Sequence, residues 1–127
     1  MKIGILTFHR PANFGANLQA YSTVCYLSSL GHEVRVIDYV RQADFEYKHK
    51  VDIKQYEAHK LFVETRLPLT EQATSDEDLC RIVKQEAFDA ILIGADAVWR
   101  SPKDNNIYFA EWLFENEDIN HVAVASI

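Results

Sequence analysis

The chain has 127 residues, 48% of them apolar and 25% charged, with a formal net charge of −6. That length and balance suit one globular domain with an ordinary core. The acidic excess argues against a nucleic-acid partner, which needs concentrated Lys and Arg. Lys48-His49-Lys50 is the one basic cluster, and it reads as a solvated surface. No apolar run approaches the roughly 20 residues that span a membrane, and Met1 leads almost directly into a strand without a signal-peptide apolar region. These features predict a soluble cytoplasmic protein. Cys25 and Cys80 have no C-x-x-C partner, so they are expected to be reduced, buried thiols with no zinc or redox role.

Lys2–Thr7 carries Ile3, Ile5 and Leu6, a short apolar run of the kind found in strands buried on both faces. A loop from Phe8 to Asn13 follows, then a helix from Phe14 to Leu30. The helix presents Leu18, Tyr21 and Cys25 on one row and Ala20, Val24 and Leu27 on the next, a wide apolar face for a sheet. Gly31 stands where a left-handed residue would end it. Val34, Val36 and Ile37 make a second strand finishing at Asp38-Tyr39, which completes a right-handed βαβ unit.

Val40–Leu69 mixes charges with scattered aromatic and aliphatic residues. It reads as an excursion beside the sheet, with a helix over about Ile53–Thr65 limited by Pro68. Ser75-Asp76-Glu77-Asp78 has the cap and acidic first turn of a helix start, and the helix runs to about Glu86 with Leu79, Ile82 and Val83 inward. Asp89–Gly94 is a third buried strand, and Gly94–Trp99 the loop at its end. Tyr108, Phe109, Trp112, Leu113 and Phe114 predict a short helix or turn packed on the sheet, and His121–Ser126 a fourth strand. No further helix follows that strand, although parallel sheets usually return one.

In open α/β sheets, ligands meet the carboxyl ends of the strands. The first loop places His9, Arg10, Asn13, Gly15, Asn17 and Gln19 there. The planar fork of Arg10 suits a carboxylate or phosphate, the helix start near Gly15 favours an anion, and His9 is a candidate proton carrier. The same residues also fit a solvated loop in which Asn13 and Gly15 only shape the turn. In the third-strand loop, Asp96 fits a ligand hydroxyl or a helix cap, and Trp99 fits a sugar face or the core. Asp38 is placed like a ribose-binding acid, but the first loop has no G-x-G-x-x-G, and the chain has neither a Walker sequence nor G-x-S-x-G. His32, His49, His59 and His121 lack metal-ligand spacing and read as surface or structural residues. Catalytic residues are not assignable.

Three segments share a pattern: TFHRPANFGANLQAYSTVCYLSSLGHEVRVIDY, FDAILIGADAVW, and HVAVAS. Together they resemble the polysaccharide pyruvyl transferase family, whose pattern runs T-F-x-x-x-x-N-[YF]-G-A-x-L-Q-A-Y-A-L, then Y-D-A-F-I-V-G-S-D-Q-V-W, then an A-A-S strand. The resemblance covers nearly the whole chain in the right order. It departs at Ala95 and Ala97, which replace a Ser and a Gln of the family pattern.

The resemblance implies a Rossmann-like, three-layer α/β/α domain with a mostly parallel four-stranded sheet in the order 2-1-3-4. Such a domain resembles one half of a GT-B-type transferase, so 1–127 is expected to be the amino-terminal domain of a longer two-domain protein. The implied activity is transfer of pyruvate from phosphoenolpyruvate to a pair of glycan hydroxyls in exopolysaccharide biosynthesis. No cofactor is implied, phosphoenolpyruvate being the donor substrate. The basic residues that hold the donor are expected in the second half, with this half supplying the acceptor wall through His9, Arg10, Asn13, Gly15, Asn17, Gln19, Asp96 and Trp99. The isolated chain is therefore expected to be inactive. Two alternatives stand beside this one: half of a GT-B-like glycosyltransferase, and a non-catalytic module that forms a homodimer through its last strand.

Overall fold

Successive residues of a strand point to opposite faces of its sheet, and here the first two strands divide their apolar residues between two cores. The computed structural model describes residues 1–41, 52–94 and 106–126. Strands β1 (Lys2–Thr7) and β2 (Glu33–Tyr39) pair in parallel, Ile3 against Val34 and Ile5 against Val36. Ile5, Val34 and Val36 face helices α1 (Phe14–Ser29) and α2 (Ile53–Arg66), packing with Ala20, Val24, Val63 and Leu67. Leu6 and Ile37 face the other way, toward α3 (Asp76–Glu86) and the short α4 (Glu111–Phe114). On that side they meet Leu79, Ile82, Ile91, Ile93, Tyr108 and Leu113. Helices thus cover both faces of the sheet.

The sheet corrects the expected topology. It has five strands in the order β3-β2-β1-β4-β5 among the described residues, where four in the order 2-1-3-4 were expected. The additional strand is β3 (Leu69–Ala73), parallel to β2. Its sequence, Leu-Thr-Glu-Gln-Ala, contains no apolar run, because β3 is an edge strand and leaves Glu71 and Gln72 exposed. Tertiary pairing with β2 overrides its weak local preference. The described part of the stretch from 40 to 69 is therefore tied to the sheet through β3. Within it, α2 lies on the crossover from β2 to β3, with residues 42–51 outside the described residues. Strands β4 (Ala90–Gly94) and β5 (Ala123–Ser126) complete the sheet, β4 beside β1 and β5 beside β4, both parallel.

Two further expectations need correction. On α1 only Asn17, Ala20 and Val24 are buried, while Leu18 and Cys25 are exposed. A small residue, Ala20, lets α1 approach the sheet, which narrows the buried stripe and turns the Leu18–Cys25 row outward. Cys25 is thus exposed and Cys80 half-buried, and neither is the buried thiol expected. In the aromatic segment, Tyr108, Trp112 and Leu113 are buried, whereas Phe109 and Phe114 are exposed.

Helix ends follow the local chemistry. Gly31 has φ +88°, the left-handed turn after α1 that only glycine adopts cheaply. Ser75 caps α3 by accepting from the Asp78 amide at 3.2 Å, with Asp76, Glu77 and Asp78 in the first turn. No helix among the described residues is long and apolar enough to cross a membrane.

Candidate functional site

The carboxyl ends of β1, β2 and β4 converge on the loop 8–13, and the loop is held by its own polar side chains. Thr7, the last residue of β1, donates its hydroxyl to the Gly94 carbonyl at the end of β4. The same hydroxyl oxygen accepts from Gln19 Nε2 at 2.8 Å, so α1 is tied to the strand end. Gln19 also donates to the Ala16 carbonyl at 3.1 Å.

His9 folds inward and is 1% exposed. Its Nδ1 lies 3.2 Å from the Thr7 carbonyl and its Nε2 lies 2.8 Å from Asp38 Oδ1. A carbonyl and a carboxylate only accept, so each ring nitrogen makes its contact as a hydrogen bond only when it carries a hydrogen. Arg10 reaches the same carboxylate as a two-pronged fork, Nε to Oδ1 at 2.9 Å and a terminal nitrogen to Oδ2 at 2.6 Å. Its other terminal nitrogen stretches to Glu64 on α2 at 3.4 Å. Asp38 is 4% exposed. Burial pushes its carboxyl up, but the hydrogen bonds from His9 and Arg10 outweigh it and bring the pKa to about 2. The same ion pair raises the Arg10 guanidinium above its ordinary value, against the opposing effect of burial.

Asn17 is the second buttress. Its Nδ2 donates to the carbonyls of His9 and Pro11, each at 3.0 Å. Its Oδ1 faces His59 Nδ1 on α2. Asn13 caps α1, its Oδ1 accepting from the Ala16 amide at 3.1 Å. Gly15 follows at the exposed start of that helix, and a Cβ there would come within 3.2 Å of Asn13 Oδ1. On the other flank, Phe8 meets Tyr108 edge-on at 5.0 Å, and the Arg41 guanidinium lies 3.8 Å from the Phe8 ring centre.

The structure thus brings His9, Arg10, Asn17 and Gln19 into one connected network, with Asn13 and Gly15 at its outer edge. Asp96 and Trp99 lie outside the described residues. Asp38, His59 and Glu64 belong to the network although sequence reasoning gave them no part in it. Only Asp38 carried a local signal, an acid at the end of a buried strand. Chemically, the fork of Arg10 holds a carboxylate as its shape suggests, and the carboxylate is the chain's own. What remains outward is the partly exposed edge of Arg10, the backbone at the start of α1, and the flank of α2.

Fold and site define an α/β protein on a wholly parallel sheet, with a polar, internally braced loop at the ligand edge. No family model, curated protein or solved structure matches the chain.

Proposed function

We propose that the chain is the Rossmann-like amino-terminal domain of a polysaccharide pyruvyl transferase-like protein and forms the acceptor wall of its cleft. The observation that carries this reading is the organisation of the Thr7–Tyr21 segment. Four residues shared with the family pattern have a physical task in this segment. Asn13 caps α1, Gln19 pins the end of β1, Ala20 is fully buried against the sheet, and Tyr21 meets Phe62 of α2 at 5.7 Å. A motif that builds a rigid β1–loop–α1 unit at the carboxyl edge suits a surface that positions a substrate.

In the proposed reaction, one glycan hydroxyl attacks the enol carbon of phosphoenolpyruvate while the methylene carbon takes up a proton. Phosphate leaves and a second hydroxyl closes the ketal. Neutralising the donor's carboxylate and phosphate needs free basic side chains. Here Arg10 is committed to Asp38, so this wall fits the uncharged acceptor better than the donor.

The test incubates the chain with phosphoenolpyruvate and a cell-surface glycan fragment, reading phosphate release, and compares thermal shifts with glycans and nucleotide sugars. We expect no phosphate release and a raised Tm with the glycan. Turnover by this chain alone, or selective stabilisation by a nucleotide sugar, refutes the reading. A second reading, the homodimer, rests on β5, an edge strand among the described residues with Ala123, Ala125 and Ser126 exposed. Sedimentation as a monomer at high concentration eliminates it.

A further inference from the structure

A groove of about 400 Å³ runs between α1 and α2, lined by Phe14, Leu18, Ala58 and Phe62, by the exposed Gln55, and by the buried pair Asn17 and His59. Phe14 is 70% exposed and Leu18 51%, so the wall is held open to water by large apolar side chains. The ring of Phe14 stands edge-on to His59 with centres 4.8 Å apart.

Counting hydrogens places one on His59 Nδ1. Both Nδ2 hydrogens of Asn17 go to backbone carbonyls, so the amide cannot be turned over, and its Oδ1 faces His59 Nδ1. An amide oxygen only accepts, so Nδ1 carries a hydrogen, and on a ring with that hydrogen alone Nε2 is an acceptor. Among the described residues, the hydrogen bond of this ring is the one through Nδ1. No buried side-chain nitrogen or oxygen among the described residues lacks a partner, so Nε2 is not sealed from solvent. The space that His59 borders is this groove. His59 is 5% exposed, and its ring shares a mostly apolar cleft with the amides of Asn17 and Gln55.

We infer that the groove binds a small, flat, apolar molecule carrying one N–H or O–H donor, of indole or phenol type, whose body lies against Phe14, Leu18 and Phe62 and whose donor bonds His59 Nε2. Its volume falls in the range of small-ligand pockets, about 300–1,000 Å³, and an apolar cleft with a few placed polar groups is their usual make-up. A protein partner suits it less. Interface cores are depleted of charge, and α2 carries exposed Lys54, Glu57 and Lys60 beside the groove. The inference is independent of the pyruvyl-transfer reading.

The experiment titrates the 127-residue chain with indole and with benzothiophene, which has nearly the same shape but no donor. Long-range ¹H–¹⁵N NMR follows the side-chain nitrogens of His59. We expect the free ring to carry its hydrogen on Nδ1, indole to bind roughly tenfold more tightly than benzothiophene, and Nε2 to shift with indole alone. Phe14→Ala, an exposed position, weakens both ligands without loss of fold. His59→Phe abolishes the preference for indole; should that variant unfold, the ligand pair on the unaltered chain decides. Equal affinity for the two, no binding of either, or a hydrogen found on Nε2 overturns the proposal. So does concentration-dependent self-association erased by Phe14→Ala, which would make the groove a contact between copies.

Discussion

Replacing Asp38 by asparagine keeps the shape of the side chain and removes the charge that His9 and Arg10 share. The carboxylate accepts from His9 at 2.8 Å and from the Arg10 fork at 2.9 and 2.6 Å, all behind a residue 4% exposed. Its pKa falls from 3.8 to about 2 on folding. At about 1.4 kcal/mol per unit, that shift corresponds to roughly 2 kcal/mol of stability. Removing one partner of a buried ion pair costs about 3–5 kcal/mol, because the remaining charges stay buried. The partly exposed edge of the Arg10 side chain places Asp38→Asn near the low end of that range, about 3 kcal/mol at pH 7. The pH dependence has a definite sign. A folded pKa below the unfolded one adds stability above about pH 4 that is lost as pH falls toward 2. Urea denaturation of both chains at pH 7, 5, 3 and 2.5 reads the difference, and comparing the two removes the contribution of every other carboxylate. We expect a lower midpoint with unchanged slope at pH 7, and curves that converge below pH 4. A difference under about 1 kcal/mol at pH 7, or one that widens on acidification, refutes the argument.

Gly4→Ala would bring a Cβ to 2.9 Å from Phe88 Cε2 and 3.1 Å from Ile37 Cδ1. Overpacking of this kind costs about 1–3 kcal/mol, and a denaturation midpoint unchanged from the parent would show that Phe88 yields freely. Asn13→Ala removes the α1 cap bond to Ala16 and should cost about 1 kcal/mol, read as a lower Tm. A thiol-specific disulfide reagent should label native Cys25 rapidly and Cys80 slowly. Cys25 is exposed, while burial pushes the half-buried Cys80 thiol up and reduces its thiolate. Equal labelling rates would contradict the placement of both.

Local signals located most of the scaffold. Ile3, Ile5 and Leu6 mark β1, Ile91 and Ile93 mark β4, Gly31 ends α1, and Ser75 opens α3, since each feature acts within a few residues of itself. β3 was illegible because its strand character comes from β2 alongside it and not from its own residues. On α1, the periodic pattern allowed two neighbouring rows, and only the packing of Ala20 and Val24 on the sheet selects between them. The site divides in the same way. The first loop is legible as polar and placed at the ligand edge. The partners that engage it are not, because Asp38 lies 29 residues from His9 and His59 lies 42 from Asn17. The shape of Arg10 predicts a carboxylate or a phosphate, but nothing local says that the group it holds is Asp38.

Two contacts from α2 reach the first loop, and their burial decides which of them matters. The Arg10–Glu64 contact is long, 3.4 Å, and the Glu64 side chain is 46% exposed. Screened pairs of that kind contribute little. The His59–Asn17 bond is buried, and Asn17 in turn holds the carbonyls of His9 and Pro11. Losing His59 would strand the Asn17 oxygen, and a buried acceptor without a partner costs about 1–3 kcal/mol. The placement of α2 is therefore transmitted to the loop through His59, while Glu64 only trims the outer reach of Arg10. The crossover whose sequence is hardest to read thus supplies the second wall of the site. A change in α2 that displaces His59 should disturb the loop 8–13 even where Arg10 and Asp38 are untouched.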